Sequence, residues 1–132
     1  MNILIIDGPE KLAGMMNIVS AYGKSKNKEL RILSAVSPAE ALARLAEANL
    51  MIVNITDDFW RAFAYKVIGD KRIPIIATSM CSEDCARIGT SEEKEFGYRI
   101  VLMPNVNGGM IVQCLDDLLE GIEYQMPSYS RN

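Results

Sequence analysis

At 132 residues, with 49% hydrophobic and 23% charged side chains, the chain has the size and composition of one globular domain and excludes a disordered or fibrous protein. A net charge of −3 and a pI near 5.0 argue against a nucleic-acid surface, because phosphate contact needs clustered Lys and Arg. No stretch reaches the roughly 18 apolar residues of a membrane span, and the start lacks a basic region followed by an apolar one, so a cytoplasmic protein is expected.

The run Asn2-Ile3-Leu4-Ile5-Ile6-Asp7 is aliphatic and closed by an acid, and Gly8-Pro9-Glu10 turns the chain into a helix with Pro9 at its first position. Asp7 is expected to cap that helix. Its buried side is Leu12, Met15, Met16, Val19 and Tyr22, and Gly23 with the polar run to Lys28 is expected to end it. The basic residues Lys24, Lys26, Lys28 and Arg31 lie among Ser25 and Asn27 and read as a solvated loop. Leu30 to Val36 makes a second strand. Ser37-Pro38-Ala39-Glu40 is a capping box, and Leu42, Leu45 and Ala46 are expected to form the buried stripe of the helix that follows.

Asn49 to Asn54 is a short apolar run ending on an amide, the pattern of a strand buried on both faces in a parallel sheet. Trp60, Phe63, Ala64 and Val67 then keep helical spacing, predicting a helix from about Asp58 to Ile68 that Gly69-Asp70 stops; Asp57 or Asp58 would cap it. Ile73 to Thr78 is the fourth strand, with Pro74 at its start, where a missing donor costs least. A weaker helix spans about Ser82 to Phe96, interrupted near Gly89 and Thr90-Ser91-Glu92-Glu93. Tyr98 to Met103 is the fifth strand. Asn105 caps a last helix with Ile111, Cys114, Leu115, Leu118 and Ile122 on its buried side.

Strands alternating with helices at short intervals predict one α/β domain, a doubly wound parallel sheet with right-handed crossovers, over residues 1–122. Residues 123–132 read as a tail or the start of a linker. Histidine is absent, which removes the commonest acid/base group and metal ligand. Cys81, Cys85 and Cys114 fit reduced thiols, and Cys81 and Cys85 have no further ligand at metal spacing.

In such folds ligands gather at the carboxyl ends of the strands, here Asp7-Gly8, Asn54, Thr78-Ser79 and Met103-Pro104. On these residues the chain resembles a response-regulator receiver domain of the flavodoxin-like type, with sheet order 2-1-3-4-5, over about residues 1–122. The likeness is carried by Ile3-Leu4-Ile5-Ile6-Asp7, by Ile73-Pro74-Ile75-Ile76-Ala77-Thr78-Ser79, and by Val101-Leu102-Met103-Pro104, where the family has lysine-proline. The resemblance implies a phosphoryl transfer from a partner kinase onto an aspartate after strand three. Acids after strand one hold Mg²⁺ there, a hydroxyl after strand four bonds the phosphoryl group, and the lysine after strand five pairs with it.

Position by position, Asp7 keeps one acid, Gly8 replaces the other, Asn54 replaces the acceptor, Ser79 keeps the hydroxyl and Met103 replaces the lysine. An amide cannot form the acyl phosphate that a carboxylate oxygen forms by attacking phosphorus. One remaining carboxylate is too little for a hard dication, which leaves Asp7 a weak metal candidate. The span from Asn54 to Pro74 is several residues shorter than in the family, and Ile100 stands at its aromatic switch position.

The expectation is therefore a degenerate receiver, or pseudo-receiver: a phosphorylation-independent signalling module, not an enzyme, with no cofactor. Its contacts, with a protein partner or with itself, are expected on the face of helix four, strand five and helix five. The alternative is a small flavodoxin-like domain, a binding module or an enzyme, that takes a nucleotide or other small ligand at the strand ends. Against it stand the lone Gly8 in place of a glycine-rich loop and the lack of histidine, with Gly108-Gly109 the only other anion cradle.

Overall fold

The computed structural model describes residues 1–56, 59, 60, 62–64, 66, 73–79, 98–102, 109 and 111–119, without the side chains of 79 and 98–102. Five parallel strands, β1 (Asn2–Ile6), β2 (Arg31–Ala35), β3 (Leu50–Asn54), β4 (Ile75–Ser79) and β5 (Tyr98–Leu102), lie side by side in the order β2-β1-β3-β4-β5. The expected order and strand positions hold to within a residue or two. Parallel neighbours need crossovers, and these are supplied by α1 (Pro9–Ser25) between β1 and β2 and by α2 (Pro38–Leu45) between β2 and β3. Residues 59, 60, 62–64, 66 and 111–119 are helical as well.

Successive strand side chains point to opposite faces, so the aliphatic runs feed two separate cores. On one face Leu4, Ile6, Met51, Val53, Ile75 and Ala77 pack with Ala41 of α2 and Ala64, flanked by Leu45, Trp60 and Phe63. On the other, Ile3, Ile5, Leu50, Ile52 and Ile76 pack with Met15, Val19 and Tyr22 of α1 and with Ile111, Leu115, Leu118 and Leu119. A strand buried on both faces has no polar alternation, and this is why β1 and β3 are nearly unbroken aliphatic runs.

Two expectations about helices need correction. α1 ends inside the expected polar run, at Ser25, but Gly23 itself is still helical and is buried where a Cβ would lie 3.1 Å from Leu30 Cδ1. The chain turns instead at Asn27, whose φ of 54° is a left-handed conformation that asparagine tolerates. In α2 the buried residue is Ala41, with Leu45 half-buried behind it, while Leu42 is 64% exposed and Ala46 is exposed. The small Ala41 is the residue of α2 buried in the core beside β2 and β1, and Leu42, about 100° further round the helix, faces outward. The capping box does form, with Ser37 Oγ accepting the Glu40 N–H at 3.3 Å and Pro38 at the first helical position.

Several expectations fall outside the described residues. These are Asp57, Asp58, Val67, the stop at Gly69-Asp70, Cys81, Cys85, the helix over about 82–96 with its break near Gly89, and Gly97. Met103, the cap at Asn105, Gly108, Ile122 and the tail at 123–132 lie outside them too.

Candidate functional site

The site is assembled by strand register. Ile6 of β1 pairs with Val53 of β3, Val53 with Ala77 of β4, and Asn54 with Thr78. Asp7 follows Ile3 and Ile5 in the alternation of β1, as Asn54 follows Leu50 and Ile52, and Thr78 follows Ile76. The three polar residues thus form a row at the carboxyl ends of three adjacent strands, above the core that α1 covers. Asp7 is 8% exposed, Thr78 is 1% exposed and Asn54 is half-buried.

Asp7 Oδ1 accepts the Gly8 N–H at 2.7 Å and one Asn54 Nδ2–H at 3.1 Å. Asn54 Oδ1 in turn accepts the Thr56 N–H at 3.0 Å, while the Ile55 N–H is donated to the Thr78 carbonyl at 2.8 Å. Both ends of the Asn54 amide are used, its donor on a carboxylate and its acceptor on the backbone of the turn that leaves β3. A carboxylate at position 54 offers no hydrogen to Asp7 and would set two like charges side by side.

Asp7 does not cap α1, contrary to expectation. The cap is Gly8, in extended backbone (φ −64°, ψ 153°), whose carbonyl accepts the N–H groups of Lys11 and Leu12 at 3.1 and 3.0 Å with no side-chain cap. The helix begins one residue later than an Asp7 cap requires, because Pro9 takes its first position, and the Asp7 carboxylate turns to Gly8 N–H and Asn54. Gly8 itself is under no steric demand, since a Cβ there meets nothing within 4 Å. An acid would fit at that position.

Of the five expected pocket residues, the structure brings Asp7, Gly8 and Asn54 together and places Ser79 at the end of β4, opposite Leu102 of β5. Met103 lies outside the described residues. Thr78 and Thr56 also belong to the site, and neither is among those five. Register alternation in step with Ile76 points to Thr78, and the two-residue reach of an asparagine side chain to the backbone points to Thr56. Among the described residues no three Asp, Glu, Cys or His side chains are grouped as a metal site. Cys114 is half-buried and packs against the α1-side core.

No protein-family model matches the sequence, and no curated protein matches it. Solved structures share the fold. A response regulator receiver domain protein from Clostridium thermocellum superposes with a TM-score of 0.69 at 15% identity, over 95% of this chain and 98% of that one. A two-component response regulator from Clostridium difficile gives 0.67 at 18% identity, over 91% and 96%. A pilus assembly-related protein from Burkholderia pseudomallei K96243 gives 0.63 at 16% identity, over 95% and 90%. The chain has the fold of a response-regulator receiver domain.

Proposed function

We propose that the chain is a pseudo-receiver, a regulatory module that works through protein contacts without being phosphorylated. The observation that carries this reading is the amide at position 54. It stands at the end of β3, donates to Asp7 and accepts from Thr56 N–H, so the place of an acceptor carboxylate is held by a neutral group with both polar ends engaged. The substitutions are mutually consistent. Among the five positions matched to the family, Asp7 is the one carboxylate, Gly8 and Asn54 are neutral, and Met103 stands in place of the lysine, so carboxylate and cation are lost together.

The receiver-like neighbours support a signalling role, and the resemblance points to the face of helix four, strand five and helix five as the surface for a protein partner. We expect Ser79 to bond backbone rather than a phosphoryl group, and Asp7 to hold Asn54 rather than a metal.

The test is mass spectrometry after incubation with a small-molecule phosphodonor and Mg²⁺. The expected spectrum is that of the unmodified chain, and a stable phosphoryl adduct would overturn the reading. Nucleotide or flavin carried through purification would favour the alternative, a ligand-binding domain.

A further inference from the structure

The basic stretch after α1 plays no part in the strand-end row. Residues 24–31 hold Lys24, Lys26, Lys28 and Arg31 against one acid, Glu29, a net +3 in a chain whose net charge is −3. Lys26 turns to Asp116, at 3.6 Å. The other three line an open cleft of about 690 Å³ between the last turn of α1 and the start of β2, together with Asn27, Glu29 and Leu30. That volume lies in the range of small-molecule sites. Arg31 pairs with Asn2 at the amino ends of β2 and β1, so the cleft and the Asp7–Asn54 row stand at opposite ends of the sheet, about 15 Å apart along the strands.

We propose that this cleft binds a diphosphate group, free or carried on a small organic molecule. Charge sets the sign of the ligand: two ammonium groups and a guanidinium line the cleft against the single carboxylate of Glu29. Their separate origins, in α1, in the turn and in β2, set its extent, because cations spread around a rim are met together by an anion with two charged centres. A helix C-terminus ordinarily repels an anion. Here three of the last four carbonyls of α1, those of Tyr22, Gly23 and Lys24, already accept the N–H groups of Lys26, Lys28 and Asn27 at 3.0, 2.9 and 3.3 Å, so most of that negative end is occupied. Arg31 also lies 3.6 Å from Glu47, and a guanidinium with five N–H donors makes that exposed pair with donors to spare. The three cations are exposed or half-buried, so affinity is modest, with a Kd of about 0.1–1 mM. The inference stands on the cleft and its charges and does not depend on the pseudo-receiver reading.

Isothermal titration calorimetry of the full chain with sodium diphosphate and with ADP, at fixed ionic strength, tests it. Saturable binding is expected: of both probes where an organic molecule can carry the group, of diphosphate alone where the ligand is the free anion. Lys24→Gln and Lys28→Gln each weaken binding by about two- to fivefold, and Glu29→Gln, which removes the one acid of the rim, tightens it by a similar factor. Lys11→Gln removes the same charge at the other end of α1 and leaves binding unchanged. All four side chains are exposed or half-buried, and unchanged circular dichroism shows that the variants fold. No saturable heat from either probe up to about 10 mM overturns the proposal. So does an equal loss in Lys11→Gln, which marks attraction by net charge alone, and so does ADP binding indifferent to Lys24 and Lys28, which places the nucleotide elsewhere.

Discussion

Asn54 is held from both sides, and the carboxylate of Asp7 is its most sensitive partner. Replacing it by aspartate removes a hydrogen bond to a charged group and adds a like charge within the same half-buried row. Asn54→Asp is expected to lose about 2–3 kcal/mol of stability at neutral pH, measured by urea unfolding. Millimolar Mg²⁺ should recover part of that loss, because two adjacent carboxylates make a dication site that Asp7 alone does not. A variant as stable as the parent in metal-free buffer would show that the Asp7–Asn54 contact contributes little. The identity of this site was legible residue by residue: a neutral amide where chemistry needs a carboxylate can be read directly from the sequence. The direction of Asp7 was not, because an acid before Gly-Pro is compatible both with capping the helix and with reaching across to β3. Pro9 at the first helical position and the place of Asn54 across from Asp7 together decide between the two.

Among the elements, the glycines of α1 separate two roles that sequence spacing cannot distinguish. Gly14 is exposed in mid-helix with open space where a Cβ would stand, whereas a Cβ at Gly23 would press on Leu30 at 3.1 Å. Gly14→Ala should therefore raise stability by about 0.5–1 kcal/mol through helix propensity alone. Gly23→Ala should gain nothing or lose stability, as the same propensity gain is set against displacement of Leu30. Thermal unfolding of the two variants side by side checks the contrast, and equal stabilisation would remove the packing role assigned to Gly23. The strands were legible because aliphatic runs of this length have few alternatives once turn residues bound them. The phase of α2 was not. Its alanines satisfy a buried stripe in either of two orientations, and packing in the core selects Ala41 rather than Leu42 as the inward residue.

At the scale of the whole molecule, the sheet divides the chain into two cores, and the core on the α1 side joins the first third of the sequence to the last. Tyr22 of α1, only 2% exposed, donates its hydroxyl to Asp116 Oδ1 at 2.8 Å, and Lys26 Nζ lies 3.6 Å from the same oxygen. Tyr22→Phe keeps the ring packing and removes this donor to a carboxylate, so a loss of about 1.5–3 kcal/mol is expected in urea unfolding. A loss below about 0.5 kcal/mol would mean that the hydroxyl contributes little and that apolar packing ties α1 to residues 111–119.

The placement of β1 also sets a schedule for synthesis. Ile3 and Ile5 leave the ribosome ahead of their neighbours: β3, which covers the second edge of β1, follows some fifty residues later, and Ile111 and Leu115 later still. At about 5–20 residues per second the most aliphatic strand waits roughly 5–20 s for its final cover. For that interval the nascent chain shows water, and any chaperone nearby, the surface that the finished protein hides most completely.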